Sequence, residues 1–170
     1  MSNHPTHAVL VTFHNGWAVE NIPAPATVDE AATRVRRLRS EGTAFAVVTV
    51  GDEYFTIVRP TPRGVELFVS DGFAALDDDF GVDALATLGE LEDVEDAFDA
   101  LDWPEDDDEA ADESVDDMDI DPYPVGNFEI LADMGLAEPT LTVLVDDPDL
   151  WAHEQLAAIE EDLGCDLPWT

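Results

Sequence analysis

The stretch Phe45-Ala46-Val47-Val48-Thr49-Val50, Gly51-Asp52-Glu53, Tyr54-Phe55-Thr56-Ile57-Val58-Arg59, Pro60-Thr61-Pro62-Arg63-Gly64, Val65-Glu66-Leu67-Phe68-Val69-Ser70 decides the fold. Three runs rich in β-branched and aromatic residues alternate with two short groups of turn formers. Phe45–Val50 is apolar almost throughout, as expected of a strand buried on both faces. Val65, Leu67 and Val69 fall on one face of the third run, with Glu66, Phe68 and Ser70 on the other. Connections this short join antiparallel strands, so the three runs form a meander.

Working outward toward the N-terminus, Ala8–Phe13 is a further apolar strand. Asn15-Gly16 follows it. This is a hairpin signal, because both turn residues must take positive φ. Trp17–Glu20 is the returning strand. Thr27 opens a helix through a capping box with Glu30, and Asp29 places charge at the positive helix end. The helix is expected to run to about Ser40 and stop at Gly42, with Ala31, Val35 and Leu38 inward and Arg34, Arg36 and Arg37 outward.

Toward the C-terminus, Asp71-Gly72 leads into a short helical segment over Phe73–Leu76. Val82, Leu85, Leu88, Leu91, Val94, Phe98 and Leu101 repeat at helical spacing, weakened by Gly89. Residues 92–121 then carry 17 acids in 30 positions and no cation. Self-repulsion and few large apolar groups predict a disordered linker there, although the periodicity also allows its first part to extend the preceding helix. Gly126–Met134 reads as a short helix stopped at Gly135, and Thr140–Val145 as helix or strand. A last helix is expected from Asp147-Pro148 to Gly164, with Trp151, Leu156, Ile159 and Leu163 inward. The fold class is therefore α+β. A mainly antiparallel sheet with one main packed helix occupies 1–91, and an acidic linker 92–121. A helical segment over 122–170, too small to stand alone, docks on the sheet or on a partner.

Charge limits the partners. All six basic residues are arginines between Arg34 and Arg63, and residues 1–63 hold six acids. The other 35 acids lie in 64–170 and carry the net charge of −35. Phosphate contacts need clustered cations, which excludes direct nucleic-acid binding and anionic membrane surfaces. No apolar run approaches the ~20 residues of a membrane helix. Met1-Ser2-Asn3-His4 lacks the basic and apolar regions of a secretory leader, and Cys165 is the single cysteine, so a cytoplasmic chain is expected. The polyanion suits a basic protein surface or, equally, high solubility.

Catalytic motifs are absent. There is no phosphate-binding loop, no dinucleotide fingerprint and no nucleophile elbow. His4-x-x-His7 is the one spacing with metal-ligand character, on a frayed terminus, and no metal or cofactor is expected. Cys165 has no identifiable base and reads as a residue just past a helix end. Asp71 is the most site-like acid because it ends a buried strand; its simpler role is to cap the next helix. The acidic stretch interleaves aromatics with carboxylates, so Phe98, Trp103, Asp106, Asp107, Asp108 and Glu109 are the candidate partner contacts.

Three stretches match a known family: Tyr54–Pro60; Val65–Asp71 with Ala74-Ala75; and Pro124-Val125-Gly126-Asn127-Phe128-Glu129-Ile130-Leu131-Ala132-Asp133-Met134-Gly135. With Glu154-Gln155-Leu156 and Leu163-Gly164-Cys165, they give the chain a resemblance to the actinobacterial tRNA adenosine deaminase-associated protein family over about residues 8–165. The resemblance implies an accessory protein associated with that deaminase and carries over no functional residues. Deaminase chemistry needs a zinc held by His/Cys/Cys, which one cysteine cannot supply. The reading is a non-catalytic accessory protein that associates with and modulates tRNA adenosine deaminase through its acidic half. The alternatives are a ligand-binding or enzymatic site near Arg59, Ser70 and Asp71, or acidic mimicry of nucleic acid.

Overall fold

A computed structural model describes residues 6–39, 41–101 and 121–164 of the chain. Six strands form one antiparallel sheet: β1 (Thr6–Phe13), β2 (Trp17–Ile22), β3 (Thr43–Val50), β4 (Tyr54–Thr61), β5 (Gly64–Val69) and β6 (Val125–Gly126). Their order is β2-β1-β3-β4-β5-β6. Asn15 and Gly16 turn β1 into β2 at positive φ, 58° and 142°. Helix α1 (Val28–Arg37) carries the chain back over the sheet so that β3 joins the free side of β1. The meander β3-β4-β5 follows, and the α+β class expected from the sequence is the class observed.

Strand periodicity sorts β3 between two cores. Ala46, Val48 and Val50 join Leu10, Val58, Leu67 and Val69 on one face. Phe45 and Val47 join Val9, Val11, Phe55, Ile57 and Phe68 on the other. Successive side chains point to opposite faces, so a strand covered on both sides is apolar at nearly every position, and Thr49 is the one polar residue buried in β3. The register sets Val9 opposite Val47, Val47 opposite Ile57 and Ile57 opposite Phe68.

The first face is covered by α1 together with α2 (Gly72–Ala75), α3 (Asp79–Leu88) and α4 (Leu91–Asp99). The Thr27 hydroxyl caps α1 by accepting from Glu30 N, and the Asp83 carboxylate of α3 accepts from Val28 N at 2.8 Å. The Tyr54 hydroxyl donates to Asp78 Oδ2 at 2.8 Å, the same oxygen that caps α3 through Gly81 N. Burial and the Asp78 carboxylate push the Tyr54 hydroxyl far above its ordinary pKa. Gly89 takes a left-handed φ of 76° and breaks the periodic 82–101 segment into α3 and α4. Helix α4 thus occupies residues 92–99 of the stretch expected as linker, with Val94 buried.

The second face is covered by residues 128–163, including α5 (Glu138–Val145) and α6 (Ala152–Leu163). Leu136, Leu141, Val145, Leu156 and Ile159 are buried against it. The segment therefore docks on the sheet of its own chain, which gives three layers. Two expectations are corrected here. Residues 126–134 are not a helix: Gly126 pairs with Phe68 in β6, Asn127 N donates to Leu67 O, and the Asn127 side chain accepts from Glu129 N. Only Ala132–Met134 coils, as a 3-10 turn. Gly126 has φ 112°, and a Cβ there would meet the Leu67 carbonyl and approach Phe68 Cα to 2.9 Å. Close approach to β5, not helix formation, is what this glycine permits. The last helix also starts later than Asp147-Pro148. Asp147 Oδ1 accepts from Asp149 N in a local turn, and Glu154 reaches back to Trp151 N at 2.9 Å. Trp151 becomes the N-cap and points outward, 61% exposed, instead of facing the core.

Candidate functional site

The apolar run of β5 ends in polar residues, and these lie beside the start of β4 and the β3–β4 turn at one end of the sheet. Ser70 follows β5; its Oγ accepts from Phe55 N at 2.9 Å, and its own N–H donates to Phe55 O at 3.0 Å. Asp71 then caps α2. Its Oδ1 accepts from Phe73 N at 3.0 Å and from Tyr123 N at 3.1 Å, while Gly72 N donates to Tyr123 O at 2.6 Å. One carboxylate therefore caps a helix and also fixes the chain where it re-enters the fold. Burial raises the pKa of the Asp71 carboxyl above the ordinary carboxylate range, against the opposing pull of the Tyr123 and Phe73 amides.

The β3–β4 turn meets the start of α6 here. Ala152 N donates to Asp52 O, and the Asp52 carboxylate accepts from His153 N at 2.9 Å and lies 2.7 Å from His153 Nδ1. Between this junction and α2 opens a cleft of about 460 Å³. Its polar lining includes Ser70, Asp71 and Gln155, and its apolar lining includes Phe73, Phe98, Leu150 and Trp151. Phe73 meets Phe98 edge-on at 5.6 Å and stacks on Tyr123 at 4.8 Å. Asp52, Glu53, Asp77 and Asp147 add four more carboxylates, and no arginine lines the cleft. The volume lies within the usual range of ligand sites.

The residues singled out in the sequence separate. Ser70 and Asp71 share the cleft, and Phe98 lies in its wall. Arg59 is elsewhere. It pairs with Glu66 across β4 and β5, four positions along β5 from Ser70, or roughly 13 Å at about 3.3 Å per residue. Its guanidinium grips both oxygens of Asp133 at 2.7 Å and donates to Ile130 O at 2.6 Å, fastening residues 130–133 to the sheet. This contact raises the Arg59 pKa and lowers that of Asp133. Arg59 is a clamp and does not converge with Ser70 and Asp71. His4, Trp103, Asp106, Asp107, Asp108, Glu109 and Cys165 lie outside the described residues. Among the described residues, no three His, Cys, Asp or Glu side chains are placed to hold one metal ion. Among them, too, no helix is long and apolar enough to cross a membrane. Sequence reasoning passed over Gln155 and Trp151 as cleft residues, because only docking of α6 brings them to the end of β5.

The Pro124–Gly135 stretch, so specific in sequence, is the stretch that forms β6 and the Arg59 clamp. The sequence profile of the Rv3753c-like tRNA adenosine deaminase-associated proteins matches residues 6–166, nearly the whole chain. The chain belongs to that family. It is 40% identical over 134 residues to Protein Rv3753c of Mycobacterium tuberculosis, an alignment covering 79% of this chain and 66% of that protein. The chain thus spans just under two thirds of the length of this relative. No solved structure matches it.

Proposed function

We propose that this member of the Rv3753c-like family is a cytoplasmic, non-catalytic accessory protein that associates with tRNA adenosine deaminase and modulates it through its acidic half. The observation that carries the reading is the family match over residues 6–166, with its description as deaminase-associated. The charge distribution supports it: residues 64–170 hold no cation, and a tRNA-binding surface is basic. In this reading residues 92–121 form the acidic arm between the 1–91 domain and the 122–170 segment. Helix α4 anchors the start of the arm through Val94. Phe98, Trp103, Asp106, Asp107, Asp108 and Glu109 face the partner, and this chain binds no nucleic acid itself.

Calorimetry of the purified chain with purified tRNA adenosine deaminase tests the proposal. Binding is expected at about 0.05 M salt and should weaken strongly at about 0.3 M, as the Debye length falls from about 14 Å to below about 6 Å. tRNA should compete. Asp106→Asn, Asp107→Asn, Asp108→Asn and Glu109→Gln together should weaken binding and leave the melting temperature unchanged. Absence of both heat and co-elution at low salt would overturn it.

A further inference from the structure

The cleft between α2 and the start of α6 holds a side chain whose hydrogen-bonding capacity is unused. Gln155 is only 5% exposed and lines the cleft. Its backbone N–H donates to Trp151 O, and its side-chain amide has no hydrogen-bond partner among the described residues. Set in the cleft wall, the amide offers a ligand both an acceptor and two donors.

The lining narrows the chemistry of that ligand. Five carboxylates, those of Asp52, Glu53, Asp71, Asp77 and Asp147, face the cleft with no arginine among them, which excludes an anion. A bare divalent cation needs several oxygen ligands converging on one point, and no three candidate ligands do so among the described residues. The walls are aromatic: Phe73 and Phe98, with Trp151 exposed at the mouth. A planar, weakly hydrated cation stacks on such rings, donates several hydrogen bonds in its plane and sheds water more readily than an ammonium group. We propose that this cleft binds an alkyl guanidinium group, as carried by an arginine side chain, with Gln155 Oε1 and the Asp71 carboxylate accepting its N–H groups and Trp151 covering its face. The Phe73 and Tyr123 amides both donate to Asp71 Oδ1 and the Ala74 amide also donates to the carboxylate, so the ligand would share it as a further donor through the lone pairs that remain. The raised pKa of Asp71 is consistent with this, since a buried carboxylate without a nearby cation is the group that such a ligand stabilises. The inference stands apart from the association with the deaminase and requires only this chain.

The test is a titration of the full chain, labelled with nitrogen-15, at constant ionic strength. The probes are ethylguanidinium, its neutral isostere ethylurea, and a blocked Gly-Arg-Gly peptide. Ethylguanidinium should give saturable shifts at the Trp151 indole and the Gln155 side-chain amide. Ethylurea should bind at least tenfold more weakly. Gln155→Met should weaken ethylguanidinium binding about tenfold. Trp151→Ala, at an exposed position, should weaken it several-fold with an unchanged melting temperature, while Glu138→Gln on α5 should leave it unchanged. Binding of the peptide at least as tight as that of ethylguanidinium identifies a protein-borne arginine; binding of ethylguanidinium alone identifies a free guanidino compound. Equal binding of ethylurea, non-saturating shifts, or wild-type affinity in folded Trp151→Ala and Gln155→Met variants would overturn the proposal.

Discussion

Leu156→Ala tests whether the segment after residue 121 is part of the main core. Leu156 is 1% exposed and sits on α6 against the face of the sheet that carries Val47, Phe55, Ile57 and Phe68. The substitution removes three carbons, about 2.4 kcal/mol of transfer free energy at ~0.8 kcal/mol per methylene. Ile159, Leu141 and the sheet below are held by their own packing and collapse only partly, so a cavity term raises the loss to about 3–4 kcal/mol. A chain of this size loses roughly 2–4 °C per kcal/mol, which puts the fall in melting temperature near 10 °C. Thermal unfolding by near-ultraviolet circular dichroism measures it. Amide hydrogen exchange should show protection falling together in α6 and in β3, since each buries the other's apolar face. A fall under about 2 °C, or lost protection in α6 with β3 unchanged, would refute the reasoning.

Two carboxylates should respond to pH with opposite signs. Hydrogen bonds from Arg59 depress the pKa of Asp133, so its contribution is present above the ordinary Asp value of about 3.9 and is lost as pH falls through the depressed folded value. Asp133→Asn should cost about 1 kcal/mol at pH 7, a modest figure because Asp133 is half exposed, and the gap to wild type should close toward pH 3 in denaturant titrations. Burial raises the pKa of Asp71, so its contribution is full below about 3.9 and is lost as pH rises through the raised folded value. Asp71→Asn keeps an oxygen acceptor for Phe73 and Tyr123, so it should raise the melting temperature at pH 7 and not at pH 3. A higher melting temperature at both values would contradict a charge effect.

The proposed guanidinium site and the stability of the fold make opposing demands on the same residues. Asp71 is held as a buried acid and Gln155 as a buried amide without a partner. The Asp71 carboxylate also caps α2 and holds Tyr123, so its burial serves the fold as well, whereas an unbonded amide such as that of Gln155 is the kind of group that binding sites commonly retain at some cost in stability.

The sequence by itself determined the local structure wherever one physical rule dominated. The alternating and continuous apolar runs gave β1, β3, β4 and β5, because a strand's period of two is unmistakable in β-branched residues. Thr27 with Glu30, Asn15-Gly16 and Gly89 marked a cap, a turn and a break, each through the conformation its own backbone or side chain adopts. Charge and cysteine count set the expectation of neither direct nucleic-acid binding nor deaminase chemistry before any fold was known. Only the tertiary structure decided the rest. Gly126–Met134 has helical spacing, yet it forms β6 and a clamp, because the edge of β5 and the guanidinium of Arg59 offer partners from more than 50 positions away. Trp151 lies on the outside because Glu154 reaches back to its N–H, and Ser70, Asp71 and Gln155 meet because α6 packs across the end of the sheet. Periodicity reports which face of an element is apolar; it carries no information about what that face will meet, and the cleft exists only where two such faces close on each other.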